Sequence, residues 1–178
     1  MSDIRIWGRK SSVNVQLVLW VVNELNLVYQ RVDAGFTYGV VNTDAFKQMN
    51  PNGLVPVLID GDGQPIFESA SILRYLANRY GDDVFWPKDA AARAQVDKWA
   101  EWAKWNFGHM FITKLFWKLV RTPAYEIDHD AIAAALMNVE NTLSIADAKL
   151  ATSIYLAGDE FTLAGHRLGL LFVSLLRY

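Results

Sequence analysis

The period of the hydrophobic pattern changes several times in the first eighty residues and only once after that. Ile4-Arg5-Ile6-Trp7 alternates apolar and polar side chains and predicts a short strand, while Gly8 to Ser12 form a polar turn. From Val13 to Asn26 the apolar residues recur at helical spacing. Val28 to Val32 reads as a second strand and Thr43 to Met49 as a short helix, which gives the βαβα run of a mixed sheet. Leu54 to Ile59 and Gln64 to Phe67 flank Asp60-Gly61-Asp62-Gly63, which is hairpin chemistry, and Ser69 to Tyr80 closes this half as a helix.

Gly81-Asp82-Asp83 and Trp86-Pro87-Lys88-Asp89 then make a polar, proline-bearing break, after which the pattern is helical only. Helices are expected from Ala90 to about Leu119, from Asp130 to Leu150 and from Thr162 to Tyr178, with Arg121-Thr122-Pro123 interrupting the first two. The chain is therefore expected to hold an α/β domain over 1–81 and an all-α domain over 90–178, joined by a linker over 82–89.

Composition narrows the class. Of 178 residues 52% are hydrophobic, enough for a packed core, and the formal charge of −2 mixes both signs along the chain. Neither nucleic acid nor an anionic membrane is an expected partner. With no cysteine, the chain has no disulfide, thiolate metal site or catalytic thiol of its own, and with three histidines a metal site has no support. The N-terminus lacks the features of a signal peptide and no apolar run reaches ~18 residues, so the cytoplasm is expected.

Three places carry candidate chemistry. Pro56 interrupts an apolar strand, which fits either an edge strand or a cis Val55-Pro56 bond; the cis form would turn the backbone N–H and C=O of Val55 toward an extended ligand. Glu68-Ser69 stands at a helix start. Ser69 there is either a plain N-cap or part of a site in which the helix amides hold a carboxylate and Glu68 an ammonium group, together recognising a free α-amino acid end. Ser11, Ser12 and Asn14 follow the first strand at the positive end of a helix, where they either cap it or donate to a bound thiolate.

In their order along the chain these elements resemble the cytosolic glutathione transferase superfamily, over nearly the whole length. Gly8-Arg9-Lys10-Ser11-Ser12-Val13-Asn14-Val15-Gln16 looks most like the first loop of the bacterial theta-like, serine-type group. The resemblance implies a thioredoxin-like N-terminal domain that binds glutathione, an all-α C-terminal domain that takes a small apolar electrophile, and a homodimer. Glutathione's γ-glutamyl end would sit on Glu68 and Ser69, its cysteinyl backbone would pair with Val55 before cis Pro56, and its sulfur would face Ser11 to Asn14. Ser12 is the first choice as thiolate donor, because its distance from Gln16 fits the spacing in theta-like members, with Ser11 and Asn14 as alternatives. The implied reaction is conjugation of the thiolate to the electrophile. Glutathione-dependent disulfide reduction and a non-catalytic binding role are the other readings.

Two departures from the family stand out. Many relatives carry a basic or amide side chain where Leu54 stands, to help bind the glycyl carboxylate; Asn52 or Lys47 would have to substitute. Family members also start their long buried helix with Ser or Thr, two residues, then Asp, whereas here Thr162-Leu163-Ala164 is followed by Gly165-His166-Arg167. Removing one G from GGA-CAT-CGC, which encodes Gly-His-Arg, gives codons for Asp-Ile-Ala. A shifted reading frame after Ala164, with the C-terminal helices truncated, is therefore expected. Of the aromatics between Trp99 and Trp117, about two-thirds are expected in the core or an interface, the rest against the electrophile.

Overall fold

The computed structural model describes residues 3–165, and the chain divides into two compact units, 1–83 and 84–178. In the first, β1 (Ile4–Trp7), β2 (Tyr29–Val32), β3 (Val57–Asp60) and β4 (Ile66–Phe67) form one sheet in the order β2-β1-β3-β4. β1 runs parallel to β2 and antiparallel to β3, and β3 and β4 form the hairpin predicted by its Asp-Gly turn. This is the mixed sheet of a thioredoxin-like fold.

Alternation along β1 gives each face its own partners. Ile4 and Ile6 are fully buried, as is Leu58, which pairs with Ile6. Trp7 points to the opposite face, where it packs with Val55, Met49 and Phe67 against a cluster of Ala34, Phe46 and Val57. Phe46 belongs to α2 (Asp44–Met49), which is capped by Thr43 accepting from the Phe46 amide at 3.2 Å. α1 (Val13–Glu24) buries Val15, Val18 and Val22 at i, i+3, i+7 spacing and packs on α3 (Ser69–Tyr80), which buries Ile72, Leu73 and Leu76.

Several boundaries differ from the sequence expectation, each for a local reason. α1 stops at Glu24 because Asn26 takes a positive φ of 52° and the Leu27 amide turns back to Val22 O. β3 begins at Val57 and β4 at Ile66, since Pro56 and Pro65 have no N–H for a ladder.

In the second unit α4 (Ala90–Trp102) is capped by Asp89, whose carboxylate accepts from the Ala92 amide at 2.8 Å. The backbone stays helical beyond it but widens to π-type turns over Ala103–His109 and Phe111–Phe116, before α5 (Trp117–Val120). α6 (His129–Leu150) is capped in the same way by Asp128, accepting from Ala131 at 2.9 Å. Phe85 and Trp86, from the segment expected to be linker, are buried in this unit, and the Phe85 carbonyl accepts from the Leu163 amide at 3.1 Å.

The next helix opens on Thr162, whose hydroxyl accepts from the Ala164 amide at 3.3 Å. Gly165 occupies the position from which the family's Asp would reach back, so the capping box has only its first half. The helix expected to run to Tyr178 and the altered frame lie otherwise outside the described residues.

Asp60 ties β3 to the end of α3. Its Oδ2 accepts from Tyr75 at 2.7 Å and Tyr80 at 2.6 Å, and Arg79 Nε lies 3.2 Å away. Burial, and then the hydrogen bond to this carboxylate, push the Tyr75 phenol up from 10.0 to about 12. Because the folded value is the higher one, the neutral phenol's contribution is complete below pH 10 and is lost as pH rises toward 12. Tyr75→Phe is expected to show a shallower loss of stability than the unaltered chain between pH 10 and about 12, read from urea midpoints. Parallel curves would contradict this.

Candidate functional site

Strand register brings the candidate residues to one end of the sheet. Val32, Trp7, Val57 and Phe67 lie side by side in one row across the four strands. The chain leaves or joins the sheet at each of them: the loop after Val32, the Gly8 to Ser12 turn after Trp7, Val55-Pro56 before Val57, and Glu68-Ser69 after Phe67. A Cβ on Gly8 would lie 2.4 Å from Val15 Cγ2, so only glycine lets β1 turn this closely into α1.

Ser12 stands at the N-cap position of α1 with extended backbone angles, but its side chain makes no cap bond. It is buried to 8% exposure, and its hydroxyl has no partner among the described residues. The capping explanation therefore fails for Ser12: the donor is held in place by the backbone bonds Ser12 N to Arg9 O and Gln16 N to Ser12 O, and its proton is unspent. Ser11 is exposed at the turn.

The capping explanation also fails for Ser69. Glu68 takes the N-cap position, with φ +66° and ψ 114°, and its carbonyl accepts the first helical bond from Ile72 at 3.0 Å. Ser69 is already helical, so its hydroxyl faces away from the amides that a cap would serve. It donates instead to Asn14 Oδ1 at 3.3 Å. The positive φ of a non-glycine residue costs on the order of 1–3 kcal/mol, and the exposed Glu68 side chain makes no cap bond to the first turn of α3. Asn14 thus joins the Ser12 loop to the Glu68-Ser69 corner as an acceptor, through Oδ1.

Val55-Pro56 is a cis peptide, and no backbone partner among the described residues engages the Val55 N–H or C=O. The segment before it is shaped by Asn50, buried to 3% exposure, whose Nδ2 donates to Leu54 O at 2.8 Å and whose Oδ1 accepts from Asn52 N at 3.1 Å and Asn52 Nδ2 at 3.2 Å. Asn52 is therefore engaged in this turn, while Leu54 is exposed and uncharged. Sequence reasoning missed Asn50 as the residue that presents Val55, although Asn50-Pro51-Asn52-Gly53 is strong turn chemistry.

In the second unit Phe107 and Phe111 are buried and stack at 5.8 Å, whereas Trp99 and Trp102 meet edge to face at 5.4 Å and are half-buried. Trp105, His109 and Trp117 are exposed. Among the described residues no group of His, Asp or Glu is arranged to hold a metal ion, and no helix is long and apolar enough to cross a membrane.

A thioredoxin-like unit followed by an all-helical one is the plan of the glutathione transferase fold. Residues 2–78 match the family profile of the glutathione S-transferase N-terminal domain. The glutathione S-transferase GstB of Escherichia coli K12 is 40% identical over 159 residues, covering 89% of this chain and 76% of that protein. The theta class glutathione S-transferase from the citrus canker pathogen Xanthomonas axonopodis pv. citri, solved with glutathione bound, superposes with a TM-score of 0.88 at 40% identity, over 99% of this chain and 84% of that one. The disulfide-bond oxidoreductase YghU of Escherichia coli is 32% identical over 132 residues, 68% of this chain and 42% of that protein. The chain belongs to the glutathione S-transferase family, as its bacterial theta-like loop implied.

The Asn14–Ser69 bond joins residues 55 positions apart and is expected to couple them energetically. A double-mutant cycle of Asn14→Ala and Ser69→Ala, measured by urea unfolding, should give a coupling of about 0.5–1 kcal/mol. Strictly additive effects would show that the bond contributes nothing.

Proposed function

We propose that this protein is a glutathione transferase that binds glutathione on its first unit, holds the sulfur as a thiolate, and conjugates it to a small apolar electrophile. The observation that carries this reading is the unspent hydroxyl of Ser12, a residue buried to 8% exposure on the same sheet end as the open Val55 backbone and the first turn of α3. In this reading the α-carboxylate of the γ-glutamyl group rests on the first amides of α3, that of Ser69 among them, its ammonium on Glu68, and the cysteinyl backbone on Val55 N–H and C=O.

Ser12 acts as a hydrogen-bond donor to the sulfur. A thiol of ordinary pKa, about 8.5, is mostly protonated at pH 7, and each unit of depression requires about 1.4 kcal/mol of preferential stabilisation of the anion. One charge-assisted hydrogen bond supplies roughly 1.5–3 kcal/mol, helped by the positive end of α1. The thiolate attacks the electrophile, forming the carbon–sulfur bond while a leaving group departs or the electron pair moves onto an acceptor within the electrophile. Asn14, Ser11 and Asn52 support the site's shape rather than the chemistry. The exposed aromatics of the helical unit suit the apolar reactant. A cytoplasmic homodimer is the assembly that the family membership supports.

The likeness to YghU supports a second reading, in which the thiolate attacks a disulfide and a second glutathione releases the mixed disulfide as oxidised glutathione. Turnover of hydroxyethyl disulfide without turnover of a chromogenic halo-arene would favour it, and binding without either would indicate a non-catalytic member.

Ser12→Ala is expected to raise the pKa of bound glutathione by about one to two units and to lower conjugation at pH 7 by about tenfold or more, with affinity largely retained. The thiolate's ultraviolet absorbance across a pH titration reads the first and steady-state rates the second. An unchanged thiol pKa would remove Ser12 from the role.

A further inference from the structure

Asn52-Gly53 is the one Asn-Gly pair in the chain, and it lies three residues before Val55. Asparagine is a thermolabile residue. Its side-chain carbonyl carbon is open to attack by the backbone nitrogen of the following residue, and the approach is easiest when that residue is glycine, which has no side chain to obstruct it. Glycine is required here. Gly53 sits at φ +63°, and a Cβ on it would stand 3.1 Å from the Val41 carbonyl oxygen. The turn is thus tied to a labile dipeptide.

The same turn holds that dipeptide out of reaction. The Gly53 N–H, the group that would attack, donates to Asn50 O at 3.0 Å. The Asn52 side chain, the group that would be attacked, donates through Nδ2 to Asn50 Oδ1 at 3.2 Å, and the Asn52 amide donates to the same oxygen at 3.1 Å. Both reactants are therefore bound to one residue. Asn50 is itself buried, with its amide donating to Phe46 O at 2.9 Å and its Nδ2 to Leu54 O at 2.8 Å. It is also inert to the reaction it restrains, because the next residue is Pro51, whose nitrogen carries no hydrogen. Asn52 is exposed, so water reaches its amide once these bonds open.

We infer that Asn52 is a deamidation site latched by Asn50, and that its conversion disables the Val55 segment; the second part rests on the glutathione site proposed above. In the reaction the Gly53 nitrogen bonds to Asn52 Cγ, and its proton passes through solvent to the departing nitrogen. The bond from Cγ to Nδ2 breaks and ammonia leaves. Water then adds to either carbonyl of the five-membered imide and opens it to aspartate or isoaspartate at position 52. One water enters and one ammonia departs, with no change of oxidation state. Either product puts a carboxylate oxygen where Nδ2 had donated, so an anion faces the Asn50 Oδ1 acceptor. Isoaspartate also inserts a methylene into the main chain between Asn50 and Leu54, whose mutual bond shapes the approach to Val55.

Peptide mapping of protein aged at mildly alkaline pH tests the latch, with total conversion read by mass and isoaspartate by an isoaspartyl methyltransferase. The folded chain is expected to convert at position 52 about tenfold more slowly than the same chain unfolded in guanidinium chloride, the factor that about 1.4 kcal/mol of hydrogen bonding supplies. Asn50→Ala should close most of that gap. Asn50→Asp, which keeps an acceptor for Asn52, should stay slow, and it decides the matter if Asn50→Ala does not fold. Equal rates in the folded and unfolded chain would overturn the latch, as would a folded Asn50→Ala no faster than the unaltered chain, or a fast Asn50→Asp. No conversion in the unfolded chain would overturn the site. The converted form, separated by anion exchange, should bind glutathione about tenfold more weakly in calorimetry, and Asn52→Gln aged alike should lose no affinity. Equal affinity of fresh and converted chain, or an equal loss in Asn52→Gln, would overturn the second part. If the fresh chain binds no glutathione, the glutathione site itself is wrong, while the conversion rates still decide the latch.

Discussion

Trp7 pairs with Val32 on one side and with Val57 on the other, and that register decides where the rest of the first unit can go. Because side chains alternate along a strand, slipping β1 by one residue would exchange the Ile4/Ile6 face for the Arg5/Trp7 face and leave two isoleucines without a core. The same row also fixes which loops share a sheet end. Once Val32, Trp7, Val57 and Phe67 are level, Arg9 and Ser12, Val55, and Glu68-Ser69 must emerge side by side, whatever the ligand. The site is in this sense a consequence of core packing.

The local devices at that end have a common character: each leaves a polar group unspent by giving its ordinary partner something else. Glu68 takes the N-cap position without a side-chain cap bond, so the first amides of α3 stay open while Ser69 bonds Asn14. Asn50 satisfies the carbonyl of Leu54 and the amide of Asn52, so the turn holds its shape without drawing on Val55. Arg31 neutralises Asp33, and Arg9 keeps its charge. An unspent donor or charge is costly when buried, and these are held at the sheet end, where a ligand can take them up.

Much of the fold was legible from short-range pattern. The alternation at Ile4 to Trp7, the helical spacing from Val13, the Asp60 to Gly63 hairpin and the change to helix after Asp83 each reflect a period or a turn residue within a few positions. The general location of the candidate site was legible too, because Pro56 in an apolar strand and Glu68-Ser69 before a helix are local anomalies. The detail was not. That Glu68 rather than Ser69 caps α3 depends on a backbone angle dictated by β4, and the Asn14–Ser69 bond spans 55 positions. The nearness of Arg9 and Val55 to Gly35 likewise joins residues far apart in the chain. In the helical half, aromatic spacing announced a helix but not the π-type turns that redistribute Trp99 to Trp117 around it.

The central claim is that one sheet end of the first unit holds glutathione, and amide chemical shifts of isotope-labelled protein titrated with glutathione test it most directly. The account predicts that the largest saturable shifts fall on three short stretches, Gly8 to Ser12, Val55, and Glu68 to Ser71, with residues of α6 little affected. Shifts centred elsewhere, or spread evenly over both units, would contradict it.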